Sequence, residues 1–131
     1  MNLIIKTDGG SRGNPGRAAC AYVAKDPSGN LREKRGKYLG RATNNVAEYE
    51  GVLLFLGSHP AKQGETLDFY LDSLLVVNQL KGLWKIKDEN LKILNSKVKE
   101  LTKNLNVSWN HVPREQNTEA DALVNETLDN I

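Results

Sequence analysis

Asp8, Glu48, Asp72 and Asp121 are the residues of this 131-residue sequence whose type and placement could do chemistry together. Asp8 ends the apolar run 3–7 and precedes Gly9-Gly10-Ser11, and Asp72 ends a second such run, 66–71. Glu48 and Asp121 fall in the early turns of two helical stretches. If the four side chains cluster ~5 Å apart, each pair repels by roughly 3 kcal/mol at an effective dielectric of ~20. A small domain with ~5–15 kcal/mol of total stability would not keep that arrangement without counter-charge. Two divalent cations set four positive charges against four negative ones. Oxygen donors without cysteine point to magnesium or manganese. Two such ions ~4 Å apart suit in-line displacement at phosphorus, with water activated on one side and the leaving oxygen stabilised on the other.

Each acid also has a local structural use. Asp8-Gly9-Gly10 reads as a sharp turn closing a strand. Glu48 could complete a capping box begun by Asn45, and Asp72 could cap a helix starting at Ser73. Thr118-Glu119-Ala120-Asp121 matches a capping box outright, where Asp121 would also favour the helix dipole. Singly, these uses suffice; together they leave the shared rim unexplained.

The elements that must position the acids follow from periodicity. Residues 3–7 read as a central strand and 17–25, apolar on both faces, as a second. The turn formers 26–30 lead to a charge-rich edge strand over 31–39. From Asn45 the period becomes helical, with Val46, Tyr49, Leu53 and Leu56 in one stripe, until Gly57-Ser58-His59-Pro60. His59, before a proline in a surface loop, reads as inert. A strand over 66–71, a short helix over 74–80 and a longer one marked by Leu91, Leu94, Val98 and Leu101 come next. A last strand spans 105–112 and a last helix 118–128, with Ala120, Leu123, Val124 and Leu128 on its apolar side. Hairpin-linked strands pair antiparallel and helix-linked strands parallel. The fold class is therefore α/β: a mixed five-stranded sheet, three antiparallel strands then two parallel, with helices on both faces. The first strand lies where the strand order reverses, the place at which open sheets bind ligands.

Hydrophobic content of 39% and charged content of 26% are those of an ordinary globular chain, and the length suits one domain spanning 1–131. No apolar run approaches the ~20 residues that cross a bilayer, and no leader precedes the first strand. The single cysteine, Cys20, has no partner for an internal disulfide and fits a small apolar role in a reducing cytoplasm. Net charge of +2 permits a polyanionic partner, and sixteen acidic residues allow an acidic site inside a basic rim.

Four ordered motifs carry a resemblance along nearly the whole chain. Asp8-Gly9-Gly10-Ser11 with Gly13-Asn14-Pro15-Gly16, Thr43-Asn44-Asn45-Val46-Ala47-Glu48, Asp72-Ser73 with Val76, and Asn117-Thr118-Glu119-Ala120-Asp121 resemble those of type 1 ribonuclease H. The resemblance implies the ribonuclease H-like fold and endonucleolytic hydrolysis of the RNA strand of RNA–DNA hybrids, leaving 5′-phosphate and 3′-hydroxyl ends. Two Mg2+ ions, for which Mn2+ may substitute, would be held by Asp8 as shared ligand with Glu48, Asp72 and Asp121. His111 would aid proton transfer or product release; Arg114, in the same loop, is the other candidate, since a guanidinium can hold a departing phosphate. Asn14, Asn44 and Asn45 would touch the hybrid's minor groove, where an amide recognises a 2′-hydroxyl. Arg41 and Thr43 would form a DNA-phosphate pocket. Trp84 would pack on a DNA sugar while Lys85 and Lys87 meet phosphates; Trp109 belongs to the core.

Some members insert a basic helix and loop after the third motif. Here only 81–87 occupies that place, and no separate hybrid-binding domain precedes Met1, so hybrid affinity should be modest and salt-dependent. The chain is expected to act as a monomer without an obligate protein partner or a membrane. The competing readings are a silent nucleic-acid-binding module of the same fold, or a related nuclease acting on DNA or double-stranded RNA. Pure binding gains nothing from four negative charges beside phosphates.

Overall fold

In the computed structural model, which describes residues 2–60, 62 and 64–131, the first strand does not stop at Asp8. Strand β1 (Asn2–Arg12) runs through Asp8-Gly9-Gly10, and residues 8–11 pair antiparallel with 21–18 of β2 (Gly16–Lys25). The sharp turn expected at Gly9-Gly10 is absent, because neither glycine adopts a positive φ. Glycine is needed at position 9 for close approach instead: a Cβ there would lie 2.1 Å from the Ala47 carbonyl carbon and oxygen. The turn falls later, where Gly13 takes φ 94°.

The sheet order is β3-β2-β1-β4-β5, with β3 (Leu31–Ala42) antiparallel to β2, and β4 (Thr66–Leu71) and β5 (Asn106–His111) added in parallel. This is the mixed sheet anticipated from the connections. β3 extends past residue 39 to Ala42 and remains a charged edge. Pairing between β1 and β4 ends at Lys6 and Tyr70, so Asp8 and Asp72 both border the crevice beyond the last shared rung.

Helix α1 (Asn44–Ser58) starts one residue earlier than the pattern suggested, because Thr43 is its cap: Thr43 Oγ1 accepts from Val46 N at 3.3 Å. α2 (Leu74–Leu80) is capped by Ser73, and α3 (Glu89–Thr102) by Asp88, which accepts from Leu91 N at 3.0 Å. α1, α2 and α3 cover one face over Ile5, Tyr22, Tyr49, Phe55, Phe69, Val77 and Leu80. Truncation of a buried aromatic such as Phe55 typically costs about 3–5 kcal/mol. α4 (Thr118–Asp129) covers the other face, packing Val124 and Leu128 on Ala19 and Ala21. The small residues of β2 admit a helix on either side.

Leu101, placed in the apolar stripe of α3 by its spacing, is 50% exposed; only Leu91 and Val98 of that helix are buried. Trp109 is half-buried and stacks on Phe69 with ring centroids 4.8 Å apart, in keeping with a packing role. His59 is not an inert loop residue. Its Nε2 lies 2.9 Å from Glu65 Oε1 and its ring stacks on Phe55, fastening the end of α1 to the segment before β4. Cys20 is buried, and burial pushes its thiol up to about 12, as suits a small apolar packing group.

Two glycines of this architecture should respond in opposite directions. Gly9→Ala must displace the α1 backbone and is expected to destabilise by about 3 kcal/mol or more. Gly57→Ala, in α1 with nothing within 4 Å of the added Cβ, should stabilise by roughly 0.5–1 kcal/mol. Urea unfolding of both variants reads the difference.

Candidate active site

The local uses available to the four acids mostly disappear once the elements are in place. Glu48 lies beyond the N3 position of α1, which Val46 occupies behind the Thr43 cap, so no capping box forms. Asp72 precedes the residue that caps α2, since Ser73 Oγ accepts from Val76 N at 3.2 Å. The cap position of α4 belongs to Asn117 rather than Thr118, and its side chain makes no capping hydrogen bond. Asp121 does lie in the first turn of α4, where the dipole favours it.

Asp8, Glu48 and Asp72 each present a carboxylate oxygen, and these oxygens lie within 4.8 Å of one another. Asp8 and Glu48 are buried, at 5% and 6% exposure, while Asp72 and Asp121 are half-buried. Asp121 lines the same cleft of about 550 Å³ but stands outside that compact group, with Oδ2 a long 3.5 Å from Asn125 Nδ2. Three of the four expected acids therefore meet, and the fourth lines the same cleft.

Burial is what most strains this cluster. It pushes Asp8 up to about 6, with the charges of Asp72 and Asp121 acting the same way; a hydrogen bond with Glu48 and the Gly9 amide oppose it. Burial likewise holds Glu48 well above the usual carboxylate range, reinforced by the Asp8 charge. Glu48 Oε1 accepts from Gly9 N at 3.2 Å, but its Oε2 is buried without a partner among the described residues. Ion pairs of the described residues, such as Arg12–Asp129 at 2.7 Å and Lys25–Glu119 at 2.6 Å, leave all four acids without a cationic side chain. An all-oxygen donor set with an orphaned, desolvated oxygen fits a hard divalent cation.

The other expected residues divide. Asn14 Oδ1 accepts from Asn44 N at 2.9 Å, and Asn44 Oδ1 accepts from Ser11 N at 2.8 Å. These amide oxygens tie the β1–β2 hairpin to the start of α1, beside the cleft that Asn44 and Asn45 line. Arg41 and Thr43 share an adjacent pocket of about 350 Å³ with Pro15 and Asn90. Trp84 is 44% exposed and not a core residue; Lys85 and Lys87 beside it are exposed. His111 ends β5 opposite Leu71, the neighbour of Asp72, but does not line the cleft. Arg114, in a 3₁₀ turn at Arg114–Gln116, does. Asn117, quoted only as part of a motif in the sequence, emerges as a buried partner of Asp72.

The model of the reverse-transcriptase-like family matches residues 6–127. A bifunctional protein of Mycobacterium tuberculosis is 40% identical over 134 residues, covering 98% of this chain and 36% of its own length. Ribonuclease HI of Halobacterium salinarum is 40% identical over 124 residues, 93% of this chain and 62% of that protein. The chain thus spans about a third of the length of the first and under two thirds of the second. The crystal structure of RNase H1 from Halobacterium salinarum superposes with a TM-score of 0.94 at 37% identity, covering 100% of both chains. That of LC11-RNase H1 in complex with an RNA/DNA hybrid gives 0.90 at 36% identity, over 98% and 97% of the two chains.

Without metal, the upward shifts mean that the folded protein holds protons which the unfolded chain has released. Their contribution to stability is then fully present below about pH 4, and the Asp8 share, at most about 3 kcal/mol, is lost as pH rises through about 6. Thermal melts in chelator should show this decline. Asp8→Asn should remove the Asp8 share and lessen that of Glu48, whose burial remains, and should melt higher than the wild type at neutral pH.

Proposed function

Because the chain belongs to the reverse-transcriptase-like family, as a type 1 ribonuclease H, we propose that it hydrolyses the RNA strand of RNA–DNA hybrids, leaving 5′-phosphate and 3′-hydroxyl ends. The observation that carries this reading is the convergence of Asp8, Glu48 and Asp72 in a partly desolvated cleft where none of them has an ion-pair partner among the described residues. Asp8, Glu48, Asp72 and Asp121 would hold two Mg2+ ions, or Mn2+ in their place, which supply the charge that activates water and stabilises the leaving oxygen. Asp8, buried among the three, would be the shared ligand, and Asp121 would complete the set from α4.

The remaining roles belong to side chains around the rim. With one lone pair of each amide oxygen engaged by a backbone N–H, Asn14 and Asn44 keep their NH2 groups free of those contacts and would donate to a 2′-hydroxyl. Asn45 would make the same contact. Thr43 Oγ1 accepts from its own helix, which leaves its O–H to donate to a DNA phosphate held by Arg41. Trp84 would pack on a DNA sugar between phosphates met by Lys85 and Lys87. Arg114 would hold the departing phosphate, and His111 would move the proton from the end of β5, opposite Leu71. Residues 1–131 would act as a single ribonuclease H-like unit, monomeric and cytoplasmic, without an obligate protein partner. No helix among the described residues is long and apolar enough to cross a membrane.

Labelled hybrid incubated with the protein should lose its RNA strand only when Mg2+ is present, with 5′-phosphate and 3′-hydroxyl ends. An all-DNA duplex should stay intact; cutting it would sink the 2′-hydroxyl argument. Asp8→Asn should bind hybrid without turnover. Replacing Lys85 and Lys87 with Ala should flatten the dependence of log affinity on log salt by roughly two, one per lost phosphate contact.

A further inference from the structure

Asn117 is fully buried, and its side-chain amide spans two of the elements that carry the acids. Nδ2 donates to the carbonyl oxygen of Thr7, the residue before Asp8, at 2.9 Å and to Oδ2 of Asp72 at 3.2 Å. The Asn117 carbonyl in turn accepts from the backbone N–H of Asp121 at 3.1 Å. One residue therefore touches the backbone beside Asp8, the carboxylate of Asp72 and the backbone of Asp121.

The orientation of that amide is dictated by its neighbours. Reversed, Oδ1 would face a carbonyl oxygen and a carboxylate oxygen, both acceptors, so the nitrogen must lie on that side. Capping does not account for it, because the Asn117 side chain accepts nothing from α4. Its Oδ1 is left buried without a partner among the described residues. Both donor contacts are directed across the sheet at the cost of that orphan.

We infer that Asn117 is a positioning residue for cation binding: it fixes the rotation of the Asp72 carboxylate against β1 so that the Asp8–Asp72 pair meets the ion already aligned. The torsion of a carboxylate about its last bond is broad, so an unheld Asp72 would sample many orientations. Holding one oxygen from behind leaves the other to face the cleft. Partners of this kind typically change metal affinity by 10–100-fold when removed. The inference rests on the cation-binding reading of the site given above.

The test is calorimetric titration of the full chain with Mn2+ alone at neutral pH, together with the Mn2+ dependence of hybrid cleavage. Asn117→Ala should weaken Mn2+ binding about 10-fold and shift the metal midpoint of cleavage equally. Cleavage at saturating Mn2+ should be largely restored. Asn117→Ser, with one small hydroxyl donor, should fall between, and it stands in if the alanine variant does not fold. Leu123→Ala loosens the packing of α4 without touching the amide, and should leave Mn2+ affinity unchanged. The inference is overturned by folded Asn117 variants with wild-type Mn2+ affinity, by lost turnover at saturating Mn2+ with affinity intact, or by equal weakening in Leu123→Ala. A wild-type chain that neither binds Mn2+ nor cuts hybrid would instead overturn the reading of the site itself.

Discussion

Where α1 crosses β1, no Cβ separates the two backbones, and the site depends on that contact. A Cβ on Gly9 would lie 2.1 Å from the Ala47 carbonyl, and one on Gly51 would lie 2.8 Å from the Asp8 carbonyl oxygen. With a glycine on each partner, the helix settles close enough for the Gly9 amide to reach Glu48 Oε1 at 3.2 Å. Glu48 and Asp8 are thereby fixed next to each other with little water between them and bulk solvent. Their raised affinities for protons follow from that closeness and burial, not from any special chemistry of their own. A larger residue at either glycine would relieve the repulsion by separating the acids, and would remove the reason for a cation to bind.

The acids are not held equally. Asp8 and Glu48 sit in the dry, closely packed part of the cleft, fixed by strand pairing and by the glycine contact. Asp72 arrives from the end of β4, where pairing with β1 has already stopped, and is steadied by the buried Asn117 amide. Asp121 hangs from the first turn of α4 with a single long contact to Asn125 and lies outside the compact trio. Burial thus falls from Asp8 and Glu48 to the half-buried Asp72 and Asp121.

Much of this was legible in the sequence, and the failures have a common physical origin. Strand order, helix faces and the four acids follow from periodicity and from carboxylates at element junctions, which are local patterns. Gly9-Gly10 misled because glycine signals a turn by its own freedom, whereas here it serves a partner 38 residues away that no local window contains. The expected caps misled by one or two residues: Thr43, Ser73 and Asn117 took the positions read for Asn45, Asp72 and Thr118, and even a one-residue shift of a helix start re-assigns every side chain in its first turn. His59 and Asn117 were undervalued because their partners, Glu65 with Phe55 and Thr7 with Asp72, are set by tertiary placement. That Arg114 and not His111 lines the cleft follows from the short turn, not β5, forming that wall, which no local pattern gives.

The small net charge of +2 conceals two electrostatic regimes separated by depth. Lys85, Lys87 and Arg41 are exposed, so their attraction for phosphates acts through water and is screened beyond about 10 Å at moderate ionic strength. Asp8 and Glu48 are buried, so their repulsion is little altered by salt and yields only to protons or to an ion that enters the cleft. Holding a polyanion and neutralising the acids would therefore be distinct tasks for different residues. Salt would govern the first and a divalent cation the second. A fold that placed the lysines among the carboxylates would pair them off internally, losing both the grip on phosphate and the demand for a metal. Separation by depth keeps the two charges apart in one small domain, and the bare β1–α1 contact is what puts the acids on the inside.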